Sequence, residues 1–588
     1  MSLSNSQLIL VEPELKADGH PIPNDRQDRF MANLRQALEH VGDEDWLKSN
    51  SPLEPLAPHA TPRAERAPST PTTGIKRLDE RLAAIWHDWE TRDKTTLQHA
   101  LWQAARRVEP HKDANYPALL LLTYFQDPRP KQGPLIKELA LGKSTYYRQL
   151  DAAVQALERI LVMQMQPSLR LERPIARSLI GREDVLRNSL AALRNSEVVS
   201  LIGPGGLGKT ALGAAIAAQW ATPKTGDRAF WHTFRPGLTD NTNALLFALA
   251  AFLHQLGASD LWLHLNTDAQ NVSLNKALGM IRAAVEALRE NPPLFCFDEA
   301  DLLLPRELDE DESHVQLRSF LEELAALRMP MLFMGQRLLI EAAHGHVIQL
   351  NRFGADEMTT LLQQAGVELD APDRASLLKQ TRGNPLLLQL FIGLHRSSAR
   401  TTSRTSAALS SFASMSLDGF LVRLRRHLSA KELDVLDALS VLDTPVPVSA
   451  WRSQRKALEA LIDLNLAELH SLNDDKHSDA RIAMLPALRE AAYRQLPPDL
   501  CTGLHCAAAQ RYEEQGEFTH AARHYVLGQQ PEMAIWLWHA HQEEEIRQGQ
   551  TTTALGIFEP LRWKPLSDAR DRRALALILA RLYELAGQ

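Results

Sequence analysis

The stretch GPGGLGKT, Gly203 to Thr210, constrains the fold more than any other part of the chain. It fits G-x-x-x-x-G-K-[ST], follows the β-rich run VVSLI and precedes the helix-forming segment ALGAAIAAQW, which is the strand–loop–helix setting the pattern needs. The glycines of the loop, Gly203, Gly205, Gly206 and Gly208, let the backbone curl so that its N–H groups, with those of Leu207 and Ala211 at the helix start, converge on a β-phosphate. Lys209 adds mobile positive charge for the β- and γ-phosphates, and the Thr210 hydroxyl is placed to ligate Mg²⁺.

A phosphate loop of this kind sits at the edge of a parallel sheet, and the flanking sequence supplies one. Between residues 172 and 354 the apolar runs VVSLIG, RAFWHTF, PLFCFDE and MPMLFMG alternate with longer helical segments, a pattern that implies parallel strands covered on both faces. PLFCFDEAD ends in an acidic pair: Asp298 is expected to hold Mg²⁺ through water, and Glu299 to polarise an attacking water as a base. MLFMGQR is a further strand with a polar end, where Gln336 or Arg337 is the candidate γ-phosphate sensor; a surface arginine at a strand end is the plainer alternative. The acidic tract ELDEDE, Glu307 to Glu312, reads as a solvated loop.

At 588 residues the chain exceeds what one core can bury, and at roughly 100–200 residues per domain it holds three to five. The expected class is multidomain α/β plus all-α. A net charge of -7, with 44% hydrophobic and 23% charged residues, gives no whole-chain bias toward nucleic acid or membranes, so any polyanion-binding surface must be local. The run ALLLLTYF ending at Phe125 falls short of the ~18–20 residues that cross a bilayer, and no signal-type start precedes it, so a cytoplasmic location without membrane contact is expected. Cys296, Cys501 and Cys506 lack paired spacing, and His505 beside Cys506 has no second ligand pair at zinc spacing.

Residues 1–74 read as a flexible region whose end, Ser51 to Gly74, is a Pro-, Ala- and Thr-rich linker. Residues 75–166 read as a small helical domain, with Leu78, Leu82, Ile85 and Trp89 at helical spacing. After the nucleotide-binding domain at 172–354, residues 355–400 form a helical lid, a Ser- and Thr-rich gap follows, and 416–497 form a compact unit. In 498–588, Gly516-Glu517, Gly549-Gln550 and Gly587-Gln588 each follow a helical run, and YEEQG at Tyr512 is echoed by YELAG at Tyr583. A period of roughly 34 residues with small turn residues marks tetratricopeptide-type arrays, here expected to be truncated in mid-repeat.

LIGREDVLRNSLAAL at Leu179, VVSLIGPGGLGKTAL, LFCFDE, MGQR and TRGNPLLLQL resemble, in order and spacing, the STAND nucleotide switches of the NB-ARC/AP-ATPase type. The resemblance, over Leu179 to Leu496, implies ATP/ADP as ligand with Mg²⁺. It implies that Ile180, Gly181 and Arg182 lie against adenine and that Pro385 packs on the base from the lid. It also implies a winged helix within 416–497 and a repeat sensor behind it. That family closes the winged helix with a histidine on the β-phosphate of ADP, whereas the run here is Met484-Leu485-Pro486-Ala487-Leu488-Arg489, and Leu485 cannot donate. The resemblance implies a slow, regulatory ATPase: ADP clamps the domains, an activating ligand on the repeats loosens them, and ATP holds an open, self-associating form.

The output is expected at the N-terminus. PLIKELALGKSTYYRQLDAAVQALERIL reads as helix, turn at Gly142 and second helix, and resembles bacterial helix-turn-helix domains. Between Arg129 and Arg159 six basic residues face three acidic ones, and Lys143, Ser144, Thr145, Tyr147 and Arg148 would meet DNA at the start of the recognition helix. The alternative is a helical hairpin or protein-docking module with Tyr146 and Tyr147 packed inside. Two readings follow, a DNA-binding transcription regulator and an NLR-like defence sensor that recruits a separate effector; a plain AAA+-type remodelling ATPase is a third.

Overall fold

The computed structural model describes residues 26–51, 53, 70–110, 114–164, 169, 171–195, 197–220, 228–267, 273–305, 311–341, 345–399, 417–472, 480–566 and 568–586. Most of the Pro-rich linker, part of the acidic tract, the Ser- and Thr-rich gap and the last Gly-Gln pair of the repeat lie outside them. The chain divides into two compact units, Met1–Pro167 and Ser168–Gln588.

The first unit is helical, and it begins earlier than the composition suggests. Arg26–Glu39, inside the stretch read as flexible, is a helix whose Leu34, Ala37 and Leu38 are fully buried. An ion pair from Arg35 to Asp151 ties it to the helix Lys143–Gln164, and Gln98 Nε2 donates to the Val41 carbonyl at 2.8 Å. Behind them an aromatic centre joins the helices Lys76–Thr91 and Thr96–Arg107: Trp89 and Trp102 stack at 5.8 Å, and Trp89 Nε1 donates to the Phe125 carbonyl at 2.7 Å. Gln132–Glu138 and Lys143–Gln164 form the expected helix pair, joined by a turn through Ala140 at φ 55. Only one of the two tyrosines is packed inside. Tyr146 is fully buried with its hydroxyl 3.1 Å from Thr123 Oγ1, whereas Tyr147 is exposed and donates to Gln132 Oε1 at 2.8 Å.

Among its described residues the second unit contains nine strands: β1 (Glu172–Pro174), β2 (Val198–Ile202), β3 (Ala229–Thr233), β4 (Leu294–Asp298), β5 (Met331–Gly335), β6 (Gly345–Gln349), β7 (Val446–Pro447), β8 (Ala467–Leu472) and β9 (Arg481–Met484). Five form an all-parallel sheet in the order β3-β4-β5-β2-β6, flanked by helices that include Lys209–Trp220 and Thr242–Gln255. The α/β class expected from the alternating runs is the class observed. Four of its strands, β2 to β5, are near-continuous buried runs because helices cover both faces; Phe230, Phe295, Phe297 and Phe333 pack through the centre. The fifth strand, β6, escapes an apolar-run criterion, because it is an exposed edge whose Val347 is half in solvent.

Three helices, Ala355–Gln364, Ala371–Thr381 and Pro385–Ala399, lead into an antiparallel sheet of order β1-β8-β9-β7 with its own helices, the last being Pro486–Tyr493. These share one apolar core, centred on Phe391, Leu436, Trp451 and Leu488. β1 comes from the start of the second unit, ahead of the parallel sheet in sequence, and fills the sheet's edge.

The chain ends in antiparallel helix pairs, Pro498–Glu514 with Phe518–Leu527 and Pro531–Arg547 with Thr551–Phe558, followed by Ala569–Ala586. Gly516 and Gly549 turn the first helix of each pair into the second at φ 73 and 78, a backbone conformation that favours glycine. Trp538, Phe558 and Ile578 form the floor between the pairs. This array rests on the sheet domain: Thr553 Oγ1 donates to the Leu238 carbonyl at 2.9 Å, and Asn243 Nδ2 to the Gly549 carbonyl at 3.3 Å.

Candidate functional site

The loop after β2 carries positive φ at Gly203, Gly206 and Gly208, the geometry that turns successive N–H groups to one side. Lys209 Nζ donates to the Gly203 carbonyl at 2.8 Å and to Pro204 at 3.2 Å, folding over the loop it serves. A side-chain atom added at Gly205 or Gly208 would meet nothing within 4 Å, so the cradle's mouth is open on that side. Leu207, by contrast, is buried and anchors the loop in the sheet's core.

At the end of β4, Asp298 is 5% exposed and accepts from the Thr210 hydroxyl and from the Glu299 N–H at 3.0 Å. Burial foremost, with the neighbouring Glu299 charge, pushes its carboxyl up to about 7. Glu299 is raised as well, by burial and by Asp301, against the pull of Lys209. Two carboxylates that resist ionising together, beside a threonine hydroxyl and a lysine, match the donor set of a nucleotide polyphosphate with Mg²⁺; the dication supplies the charge the buried pair lacks. Glu468 and Glu490, from β8 and the helix Pro486–Tyr493, add to the upward shifts of Asp298 and Glu299, so the small sheet unit presents negative charge to this end of the site.

The other side of the cradle is closed by the turn before Pro385. Asn384 Nδ2 donates to the Gly205 carbonyl at 3.0 Å, and the Leu386 N–H to Gly206 at 3.1 Å. Gly383 makes this possible: at φ 66, a side-chain atom there would lie 2.1 Å from the Phe353 carbonyl oxygen. Phe353 N donates back to Gly383 at 2.8 Å, and its ring lies under the Arg182 guanidinium at 5.2 Å. Arg182 also donates to the Asn351 carbonyl. Gly181, next to half-buried Ile180, is pressed by Glu357, the residue that caps the helix Ala355–Gln364 through Gly354 N.

The structure thus gathers Lys209, Thr210, Asp298 and Glu299 on one side, and links the 180–182 segment through 351–353 to the buried Pro385 and the loop on the other. Gln336 and Arg337 are exposed at the end of β5, and the Gln336 N–H donates to Asp301 Oδ1 at 2.8 Å. Sequence reasoning passed over Asn384, Phe353 and Asp301. The third acid in Asp298-Glu299-Ala300-Asp301 and the asparagine between Gly383 and Pro385 were the available signals. Leu485 precedes the helix Pro486–Tyr493 and packs on the apolar core, and Arg489 of the same motif pairs with Asp443 at 2.5 Å. His505 bonds to Tyr493 and His524, and Cys506 Sγ donates to the Gly528 carbonyl.

The sheet order and this site define a P-loop NTPase with helical regions after it. Residues 199–353 match the AAA family, ATPases associated with various cellular activities. No curated protein matches the chain. Among solved structures it is similar to a Signal Transduction ATPase with Numerous Domains (STAND) protein with a tetratricopeptide repeat sensor from Pyrococcus horikoshii, at 16% identity, 70% of this chain, 62% of that chain and a TM-score of 0.46. It thus spans less than two thirds of that protein's length. It is also similar to a Walker-type ATPase of Pyrococcus abyssi (16% identity, 54% of this chain, 98% of that one, TM-score 0.28). The ORC2 protein of Aeropyrum pernix, in ADPNP-ADP complexes, matches at 16% identity over 54% of this chain and 95% of that one, with a TM-score of 0.27. Among the described residues no helix is long and apolar enough to cross a membrane.

Proposed function

We propose that the chain is an ATP/ADP-driven STAND-type switch, with 416–497 as its winged helix and the C-terminal helix pairs as a tetratricopeptide-like sensor. The observation that carries this reading is the direct closure of Asn384 and Leu386 on the phosphate loop, a contact through which nucleotide occupancy would be coupled to the position of the helical region. Lys209 and Thr210 hold the phosphates and Mg²⁺, Asp298 holds the metal's water, and Glu299, raised above the ordinary carboxylate range, takes the proton of the attacking water. ADP stabilises the closed form and ATP an open, self-associating one. Within the array, a cavity of about 410 Å³ with an apolar floor of Leu575 and Leu579 and cationic Arg562, Lys564 and Arg572 has the size of a small-ligand site.

Denaturing freshly purified protein and identifying the released nucleotide tests the switch. Near-stoichiometric ADP from wild type, lost in Lys209→Ala, is expected. The match of residues 199–353 to AAA ATPases favours one other reading, a remodelling motor, which would instead give an empty site and brisk turnover.

The output we assign to the helix Lys143–Gln164, whose Lys143, Ser144, Tyr147 and Arg148 are exposed. Duplex binding that weakens steeply with salt is expected. Salt-insensitive or absent binding, with capture of a protein effector, would move the output to the NLR-like defence reading.

A further inference from the structure

The strand β1 ties the chain leaving the N-terminal unit into the small antiparallel sheet. Glu172, Arg173 and Pro174 pair with Leu472, Ser471 and His470 of β8, and the Ile175 N–H donates to the Leu469 carbonyl at 3.1 Å. The strand also lies against β3 and the helix Lys209–Trp220 that begins at the phosphate loop. A three-residue edge strand with a proline is a weak ladder by itself. Its hold comes from a side chain on the far side of β8.

Arg481 of β9 sits opposite His470, which sits opposite Pro174, so the three lie in one row across the sheet, and Glu172 shares Pro174's face. The Arg481 side chain is 2% exposed. Nη1 donates to Glu172 Oε1 at 2.6 Å and to the Pro445 carbonyl at 2.8 Å, and Nη2 donates to Glu517 Oε1 at 2.8 Å. Glu517 is the residue before the helix Phe518–Leu527 of the C-terminal array. One guanidinium thus joins the linker strand, the small sheet and the array. A buried guanidinium deprived of one carboxylate is left undercompensated, so the three attachments stand or fall together.

We propose that Arg481 is the clamp by which the C-terminal array controls the linker to the N-terminal unit: displacement of Glu517 loosens Glu172 and frees β1 from the sheet. The proposal rests on the switch reading for its purpose and names the route from sensor to output. It requires no displacement of the nucleotide-binding residues themselves.

Hydrogen exchange on the full chain tests it. Glu517→Gln, a change in the array, should speed exchange of the 171–176 amides by about tenfold or more, and Glu172→Gln should do the same. The double variant should exchange no faster than either single one, because each breaks the same unit. Glu559→Gln, which neutralises an acid bonded to the Tyr583 hydroxyl and not to Arg481, should leave 171–176 at the wild-type rate. Wild-type exchange of 171–176 in Glu517→Gln would overturn the clamp, as would full additivity of the two substitutions. Because these conservative variants keep the hydrogen-bonding shape, the test does not depend on whether Arg481→Met folds. Comparing wild type loaded with ADP and with a non-hydrolysable ATP analogue separates the two ideas: a nucleotide-insensitive linker that still responds to Glu517→Gln retains the clamp and rejects the switch.

Discussion

Lys209 bonds carbonyls of its own loop and supports no core, so its loss should be felt in function and not in folding. Lys209→Ala is expected to lower steady-state ATP turnover by about 10²-fold or more with an unchanged melting temperature, as measured by phosphate release and thermal denaturation. Gly383→Ala should do the opposite, because the added atom collides with the Phe353 carbonyl oxygen at a positive φ. A loss of more than about 2 kcal/mol in denaturant unfolding is expected. Asp298 brings pH into the site. With its carboxyl at about 7, the proton and Mg²⁺ compete, so Mg²⁺-dependent nucleotide affinity should fall as pH drops from 8 to 6, and a flat titration would contradict the assignment. At this scale the motif residues were legible because phosphate chemistry fixes both residue type and spacing. Asn384 and Phe353 were not, since their part depends on where the chain folds back.

At the scale of elements, legibility followed burial. The buried strands β2 to β5 of the parallel sheet show as apolar runs, while β6 and β1 lie at edges and are recognisable only by their partners. The helix Arg26–Glu39 is rich in charged and polar residues, and three of its apolar ones, Leu34, Ala37 and Leu38, show their part only once another helix covers them. The array offers two tests. Gly549 faces Phe247, and a side-chain atom there would lie 2.6 Å from the ring, so Gly549→Ala should push the array from the helix Thr242–Gln255. Faster hydrogen exchange across 238–250 is the expected sign. Glu545 accepts from the N–H groups of Phe518 and Thr519, and burial pushes it up to about 7. Since its folded value lies above the ordinary 4.5, the folded state holds the proton more tightly, and stability falls as pH rises from about 4.5 through 7. Glu545→Gln should remove up to roughly 3 kcal/mol of that pH dependence, read from urea unfolding at pH 5 and 8.

For the whole molecule, the division into two compact units sets the limit of what a linear reading conveys. Sequence order suggests beads on a string, with the N-terminal helical unit, the P-loop domain and the array in succession. The fold instead returns the array to the sheet domain through Thr553 and Asn243, and seats residues 172–174 in a sheet whose other strands begin at Val446. Such long-range pairings leave no periodic trace in the chain. They also bear on anyone who would graft a different N-terminal module onto this protein. The seam that respects the architecture lies at Pro167, ahead of β1, and a fusion joined after Ile175 would discard an edge strand, bare the backbone of β8 and leave Arg481 facing one acid fewer. Chimeras cut at the first point should remain monodisperse, and those cut at the second should aggregate through the uncovered edge.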